Sequence, residues 1–183
     1  MYTREEPRFA LCGLNCCLCP RFNTDGTSRC PGCGGRDFSK QHPTCSVVTC
    51  SRKHGNIEYC FECSEYPCRR YESIGDKDSF ITYRNVTTNL EEAGRDLTDY
   101  LATLTRKQKY LKLLIEKYND GRAKSLYCIA IELFPIGALE ELLEFIVRDV
   151  EREDTGENEK AKKVVEKVRE KAGELGIDLA LRK

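Results

Sequence analysis

Three cysteine-rich stretches decide how the first part of this chain folds: CGLNCCLCP at 12–20, CPGCGG at 30–35 and CSRKHGNIEYCFECSEYPCRR at 50–70. The chain holds 12 cysteines, and all but one of them fall between Cys12 and Cys68. The N-terminus carries charged residues where an export signal needs an apolar core, so we expect a cytoplasmic protein. In a reducing compartment, crowded thiols indicate metal ligation or redox chemistry more often than disulfides.

The spacing of these cysteines suits tetrahedral metal sites, because CxxC pairs place two sulfurs on one tight turn. In the middle pair, Pro31 and Gly32 supply a fixed turn and a residue that tolerates a positive φ, which is typical of a zinc knuckle. We predict two ions, one bound by Cys16, Cys19, Cys30 and Cys33 and the other by Cys45, Cys50, Cys60 and Cys63. Cys12 or Cys68 can replace a member of either group, since spacing does not determine connectivity.

The first part has too few large apolar residues to fold on hydrophobic burial alone. Ordering a residue costs about 1.5 kcal/mol of conformational entropy. Domains of this size seldom recover that cost from burial alone, without a bound metal or another cross-link. A structural zinc site contributes about 10–16 kcal/mol near neutral pH. We therefore predict a small metal-stabilised cysteine-rich domain with little regular structure.

The same motifs resemble a known family, the domain-of-unknown-function family 3795, whose cysteine-rich bacterial and archaeal members are presumed to bind zinc. A leading CGLxC, a CxGC knuckle, and a CxxC followed by a Pro-Cys pair occur here in that order, over about residues 9–72. The resemblance implies no known activity. It implies a shared framework of ten cysteines, with Cys17 an addition: Cys12, Cys16, Cys19, Cys30, Cys33, Cys45, Cys50, Cys60, Cys63 and Cys68.

Two other functions compete with structural zinc. Cys12, Cys16 and Cys19 have the CxxxCxxC spacing that holds three corners of a four-iron cluster in radical enzymes that use S-adenosylmethionine. The rest of the chain is too short and too helical for the barrel of those enzymes, but an iron-sulfur protein for redox or electron transfer stays an alternative. Nucleic-acid binding is a second alternative, which the balance of 30 basic and 30 acidic side chains disfavours.

The remaining candidate residues have ordinary interpretations. His42 and His54 could each replace a cysteine as ligand, but with cysteine in surplus we interpret both as polar surface residues. A nucleophilic pair of His54 with Cys17 would need geometry that a sequence does not give. Cys128 lies in an apolar stretch and is interpreted as an inert core residue.

Since no GxSxG, HExxH or dinucleotide motif occurs, we lean against an enzyme and towards an interaction or regulatory module with a protein partner.

The second part of the chain is predicted to be helical, with apolar residues three and four apart. The stretch GDKDS marks the linker, so we divide the chain into a cysteine-rich module at 1–76 and an all-α domain of about five helices at 77–183. Capping boxes at Thr88 and Thr105 predict two helix starts, and Pro135 predicts another. A last helix is predicted over about 157–175, closed by Gly176. The chain as a whole is predicted to be mainly α, with no segment apolar enough to span a membrane.

Overall fold

The computed structural model describes residues 3–42, 45–74 and 76–183. The fold is mainly α, as the sequence predicts, and the described residues contain no β-strand. Within these three ranges, seven α-helices occur in chain order: α1 at Phe38–Gln41, α2 at Ser46–Lys53, α3 at Val86–Arg95, α4 at Leu97–Tyr118, α5 at Lys124–Leu133, α6 at Ile136–Phe145 and α7 at Glu157–Glu174. A π-helical turn, Ile146–Val150, continues α6.

The cysteine-rich part has little regular structure, in agreement with the prediction. Besides the short helices α1 and α2 it contains three 3-10 turns, at Cys16–Leu18, Cys60–Glu62 and Arg69–Tyr71. The CPGC turn depends on glycine: Gly32 has a φ of +83°, and a Cβ there would lie 2.1 Å from the carbonyl oxygen of Pro7. Only glycine therefore allows this turn to pack against the N-terminal segment.

The boundaries predicted at Pro135 and Gly176 are confirmed. Pro135 directly precedes α6, and α7 is followed by Gly176 with a φ of +65°. The starts predicted at Thr88 and Thr105 are wrong, because Thr88 is the third residue of α3 and Thr105 lies inside the 22-residue helix α4. The hydroxyl of Thr105 donates a 2.7 Å hydrogen bond to the carbonyl of Leu101, one turn earlier, instead of capping a new helix.

One large hydrophobic core joins the two parts of the chain. Phe9, Leu18 and Tyr59 from the cysteine-rich part are buried in the same cluster as the inner faces of α3 to α7. The Phe9 ring lies 5.3 Å from that of Tyr59 and 4.7 Å from that of Tyr100 on α4. A second, smaller cluster belongs to the cysteine-rich part alone. The division at residue 76 stays a prediction.

None of the helices in the described ranges combines the length and apolar character that crossing a membrane requires.

Candidate metal centre

All 12 cysteines lie in the part of the chain that the structure describes, and all are free thiols. Eight of the eleven cysteines in the cysteine-rich part form two neighbouring groups. We call the first the cavity cluster; it consists of Cys50, Cys60, Cys63 and Cys68 together with His54. We call the second the loop cluster; it consists of Cys12, Cys16, Cys33 and Cys45.

The cavity cluster lines one small cavity of about 30 Å³. Helix α2 contributes Cys50, and His54 directly follows the end of this helix. Because residues four apart share a helix face, these two side chains point to the same side. The 3-10 turn at Cys60–Glu62 contributes Cys60 and is followed by Cys63. The sulfur of Cys63 lies 3.7 Å from Nδ1 of His54.

The turn that carries Cys60 and Cys63 is held by its own backbone and by Glu62. The N–H of Cys63 donates a 3.1 Å hydrogen bond to the carbonyl of Cys60, which closes the turn. The carboxylate of Glu62 accepts hydrogen bonds from the N–H groups of Glu58 and Tyr59, at 2.8 and 3.2 Å. The CxxC pair is thus fixed by local interactions, and the same closing bond joins Cys19 to Cys16.

Crowding and burial make the thiol of Cys60 hard to ionise on its own. Burial is the largest cause that raises the pKa of Cys60, to about 11, and the neighbouring Cys68, Cys50 and Cys63 raise it further. A hydrogen bond from the Tyr71 hydroxyl acts in the opposite direction. A bound cation would reverse this balance, because positive charge favours thiolates.

The loop cluster surrounds the second hydrophobic cluster, in which Cys33 is buried and Cys12, Cys16 and Cys45 pack against it. Burial raises the pKa of Cys12 to about 12, and charge on Cys33, Cys45 and Cys60 adds to the effect. Burial likewise raises the pKa of Cys16 well above its ordinary value, and charge on Cys33 and Cys12 raises it further. These sulfurs are therefore near enough to influence one another's ionisation.

The backbone beside several of these sulfurs lowers their pKa, against the larger effect of burial. Cys33 acts in this way on Cys16, and Leu14 acts in this way on Cys12. Arg21 and Phe22 do the same for Cys19, although the N–H of Phe22 donates its 3.0 Å hydrogen bond to the carbonyl of Cys19. Hydrogen bonds to the charged form favour thiolates.

Arg4 supplies positive charge to the loop cluster from outside the cysteine motifs. Its buried guanidinium donates hydrogen bonds to the carbonyls of Phe9 and Glu58, at 2.7 and 2.8 Å, and pairs with the Glu58 carboxylate. Burial raises the pKa of Cys33, whereas the charge and hydrogen bond of Arg4 lower it. The motifs gave no signal for this role.

The donor set suits a soft divalent ion, since thiolates and imidazole are the ligands that zinc prefers. In the described residues, however, no three cysteine, histidine, aspartate or glutamate side chains converge closely enough to enclose an ion. The unfolded chain rarely holds a preformed metal site, so metal binding and folding are coupled. Binding would require the sulfurs of each cluster to turn inward.

The predicted ligands are distributed differently from the predicted grouping. Cys50, Cys60 and Cys63 lie together in the cavity cluster, but Cys45 packs in the loop cluster near Cys33. The predicted substitutes lie close by, with Cys68 at the cavity and Cys12 in the loop cluster. The predicted members Cys19 and Cys30 neighbour each other, and Cys30 also influences Cys16. Which sulfurs share an ion stays a prediction.

A buried polar network joins the cysteine-rich part to the helices, and the motifs did not predict it. Glu132 on α5 is buried, and its carboxylate accepts hydrogen bonds from the side-chain amides of Asn15 and Asn89. Asn15 directly precedes the turn of Cys16, and its side-chain oxygen accepts a hydrogen bond from the Tyr100 hydroxyl. An acidic residue within the apolar run of α5 was the one available signal.

The comparisons with known proteins agree with the motifs. The family model described as Protein of unknown function (DUF3795) matches residues 8–73. No curated protein matches the chain. No solved structure matches it. The resemblance predicted from the cysteine motifs is confirmed, and the match includes both thiol clusters.

Proposed function

We propose that residues 8–73, which the DUF3795 family model matches, bind two zinc ions through their cysteine thiolates. The observation that carries the proposal is the crowding of free thiols into the cavity cluster and the loop cluster. Buried thiols whose ionisation is disfavoured by their neighbours gain most from a shared cation. One ion belongs to each cluster.

The role that we propose for the ions is structural. The hydrophobic cluster that the cysteine-rich part does not share with the helices has only five buried members, namely Ala10, Leu11, Cys33, Phe38 and Val48. The cavity of about 30 Å³ holds an ion or a water molecule but has no room for an organic substrate. We therefore propose that the thiols of this cavity hold a structural ion within an interaction or regulatory module.

Metal counting on protein purified without oxygen tests the proposal. We expect about two zinc ions per chain and a colourless protein, because zinc has a filled d shell. Substituting Cys33→Ser should remove one of the two ions. Cys128→Ala is the matched control: Cys128 is also a fully buried thiol, but it lies on α5 in the helical core, so both ions should remain.

Two outcomes would contradict the proposal. A brown protein with visible absorbance that bleaches on reduction would assign the thiols to an iron-sulfur cluster instead. A chain that retains neither zinc nor iron under anaerobic conditions would show that the thiols do not hold a resident metal.

A further inference from the structure

The zinc site in the cavity cluster has more donors than an ion needs. Four sulfurs and the imidazole of His54 line the cavity, whereas a structural zinc ion takes four ligands. Cys45, the fourth sulfur that sequence spacing assigns to this ion, is not among the residues lining the cavity. The fourth ligand beside Cys50, Cys60 and Cys63 must therefore be Cys68 or His54, the other two donors that line the cavity.

The position of His54 relative to Cys63 matches that of two ligands on one ion. With Zn–S near 2.3 Å and Zn–N near 2.05 Å at a tetrahedral angle, sulfur and nitrogen lie about 3.6 Å apart. The observed separation between Cys63 Sγ and His54 Nδ1 is 3.7 Å. Such a contact is long for a strong hydrogen bond but close to the edge of a zinc tetrahedron.

Local structure directs the imidazole towards the cavity. His54 follows the last residue of α2, one helical turn after Cys50, and its backbone N–H donates a 3.0 Å hydrogen bond to the carbonyl of Ser51. The hydroxyl of Ser51 in turn donates to the carbonyl of Ile57 at 2.8 Å, which folds the chain back towards the Cys60 turn. Helix end and turn therefore meet at the cavity.

From this geometry we propose that His54 is a ligand of the second zinc ion, together with Cys50, Cys60 and Cys63. This inference rests on the proposed function. The cavity site is then a Cys₃His site, with Nδ1 of His54 as the nitrogen donor. Cys68 lines the same cavity as a neighbouring thiol that does not bind the ion. The ion of the loop cluster keeps sulfur ligands only.

X-ray absorption at the zinc edge, on a chain without an affinity tag, tests the assignment. Seven thiolates and one imidazole around two ions give an average of about 3.5 sulfurs and 0.5 nitrogen per zinc. We expect this nitrogen signal to be lost in His54→Gln. It should persist in His42→Gln, the matched control at the chain's only other histidine, and in Cys68→Ser.

The outcomes separate this inference from the proposed function. Two zinc ions with sulfur ligands only, or a nitrogen signal that survives His54→Gln, would overturn the role of His54 and leave the zinc protein intact. Loss of an ion in Cys68→Ser would place Cys68 in the site instead of His54. A parent chain without zinc would overturn both proposals.

Discussion

At the scale of single residues, Asn89 connects the cysteine-rich part to the helices. From α3, its side-chain amide donates hydrogen bonds to the carbonyl of Gly13, at 2.9 Å, and to the Glu132 carboxylate, at 3.1 Å. Gly13 has a φ of +93°, and a Cβ there would lie 2.2 Å from the carbonyl oxygen of Val86. The backbone beside Cys12 is thus pressed against the start of α3, with Asn89 bridging the contact.

Substituting Asn89→Ala should lower the free energy of unfolding by about 1–3 kcal/mol, because it leaves the buried Glu132 carboxylate and the Gly13 carbonyl short of a donor. Denaturant unfolding followed by circular dichroism measures the change. The neighbouring Thr88 is exposed on the same helix, so Thr88→Ala is the matched control and should cost much less. Equal effects of the two substitutions would show that the bridge contributes nothing.

At the scale of elements, the segment after α7 is tied back to the segment before α3. Asp78 accepts hydrogen bonds from the backbone N–H groups of Tyr83 and Arg182, both at 2.8 Å, and forms an ion pair with the Arg182 guanidinium at 3.0 Å. Burial acts to raise the pKa of Asp78, but these hydrogen bonds outweigh it, so the pKa lies well below its ordinary value. The Arg84 guanidinium also donates to the carbonyls of Asp178 and Ala180.

Substituting Asp78→Asn should destabilise the protein by about 1–3 kcal/mol at pH 7, because it removes charged hydrogen bonds. A depressed carboxyl pKa stabilises the fold above the unfolded value of about 3.9, and this contribution fades as the pH falls towards the folded pKa. The difference in Tm between parent and variant should therefore shrink below about pH 4.

Thermal unfolding from pH 7 to pH 3 checks this pH dependence. Asp76→Asn serves as control, since Asp76 is exposed two residues earlier in the same segment. A Tm difference that stays constant across this range would mean that the charge of Asp78 does not cause the effect.

At the scale of the whole molecule, the sequence predicts local features but not the contacts between distant segments. Spacing predicted the thiol module, and apolar periodicity predicted the helices, because both signals are local. The long α4 was missed at Thr105, whose hydroxyl bonds equally well to a preceding carbonyl inside a helix. The placement of Cys45 and the Glu132 network depends on how distant segments pack, which local patterns do not encode.

Because of the same distant packing, we expect the two parts of the chain to unfold as one cooperative unit. Phe9 is fully buried, and its ring contacts Tyr59 of the cysteine-rich part and Tyr100 of α4. Substituting Phe9→Ala should lower the free energy of unfolding by about 3–5 kcal/mol, since it leaves a cavity in the shared core. Phe80 is 57% exposed, so Phe80→Ala is the matched control and should change little.

Hydrogen exchange measured by mass spectrometry tests this coupling, because it reports on peptides from both parts in one experiment. In Phe9→Ala, the most protected amides of the cysteine-rich part and those of α4 should lose the same amount of protection, since a shared core opens as a unit. If only the cysteine-rich peptides lose protection and α4 is unchanged, the helices hold their structure without the cysteine-rich part. The cysteine-rich part would then be a separate folding unit, although Phe9 lies in the same core as α4.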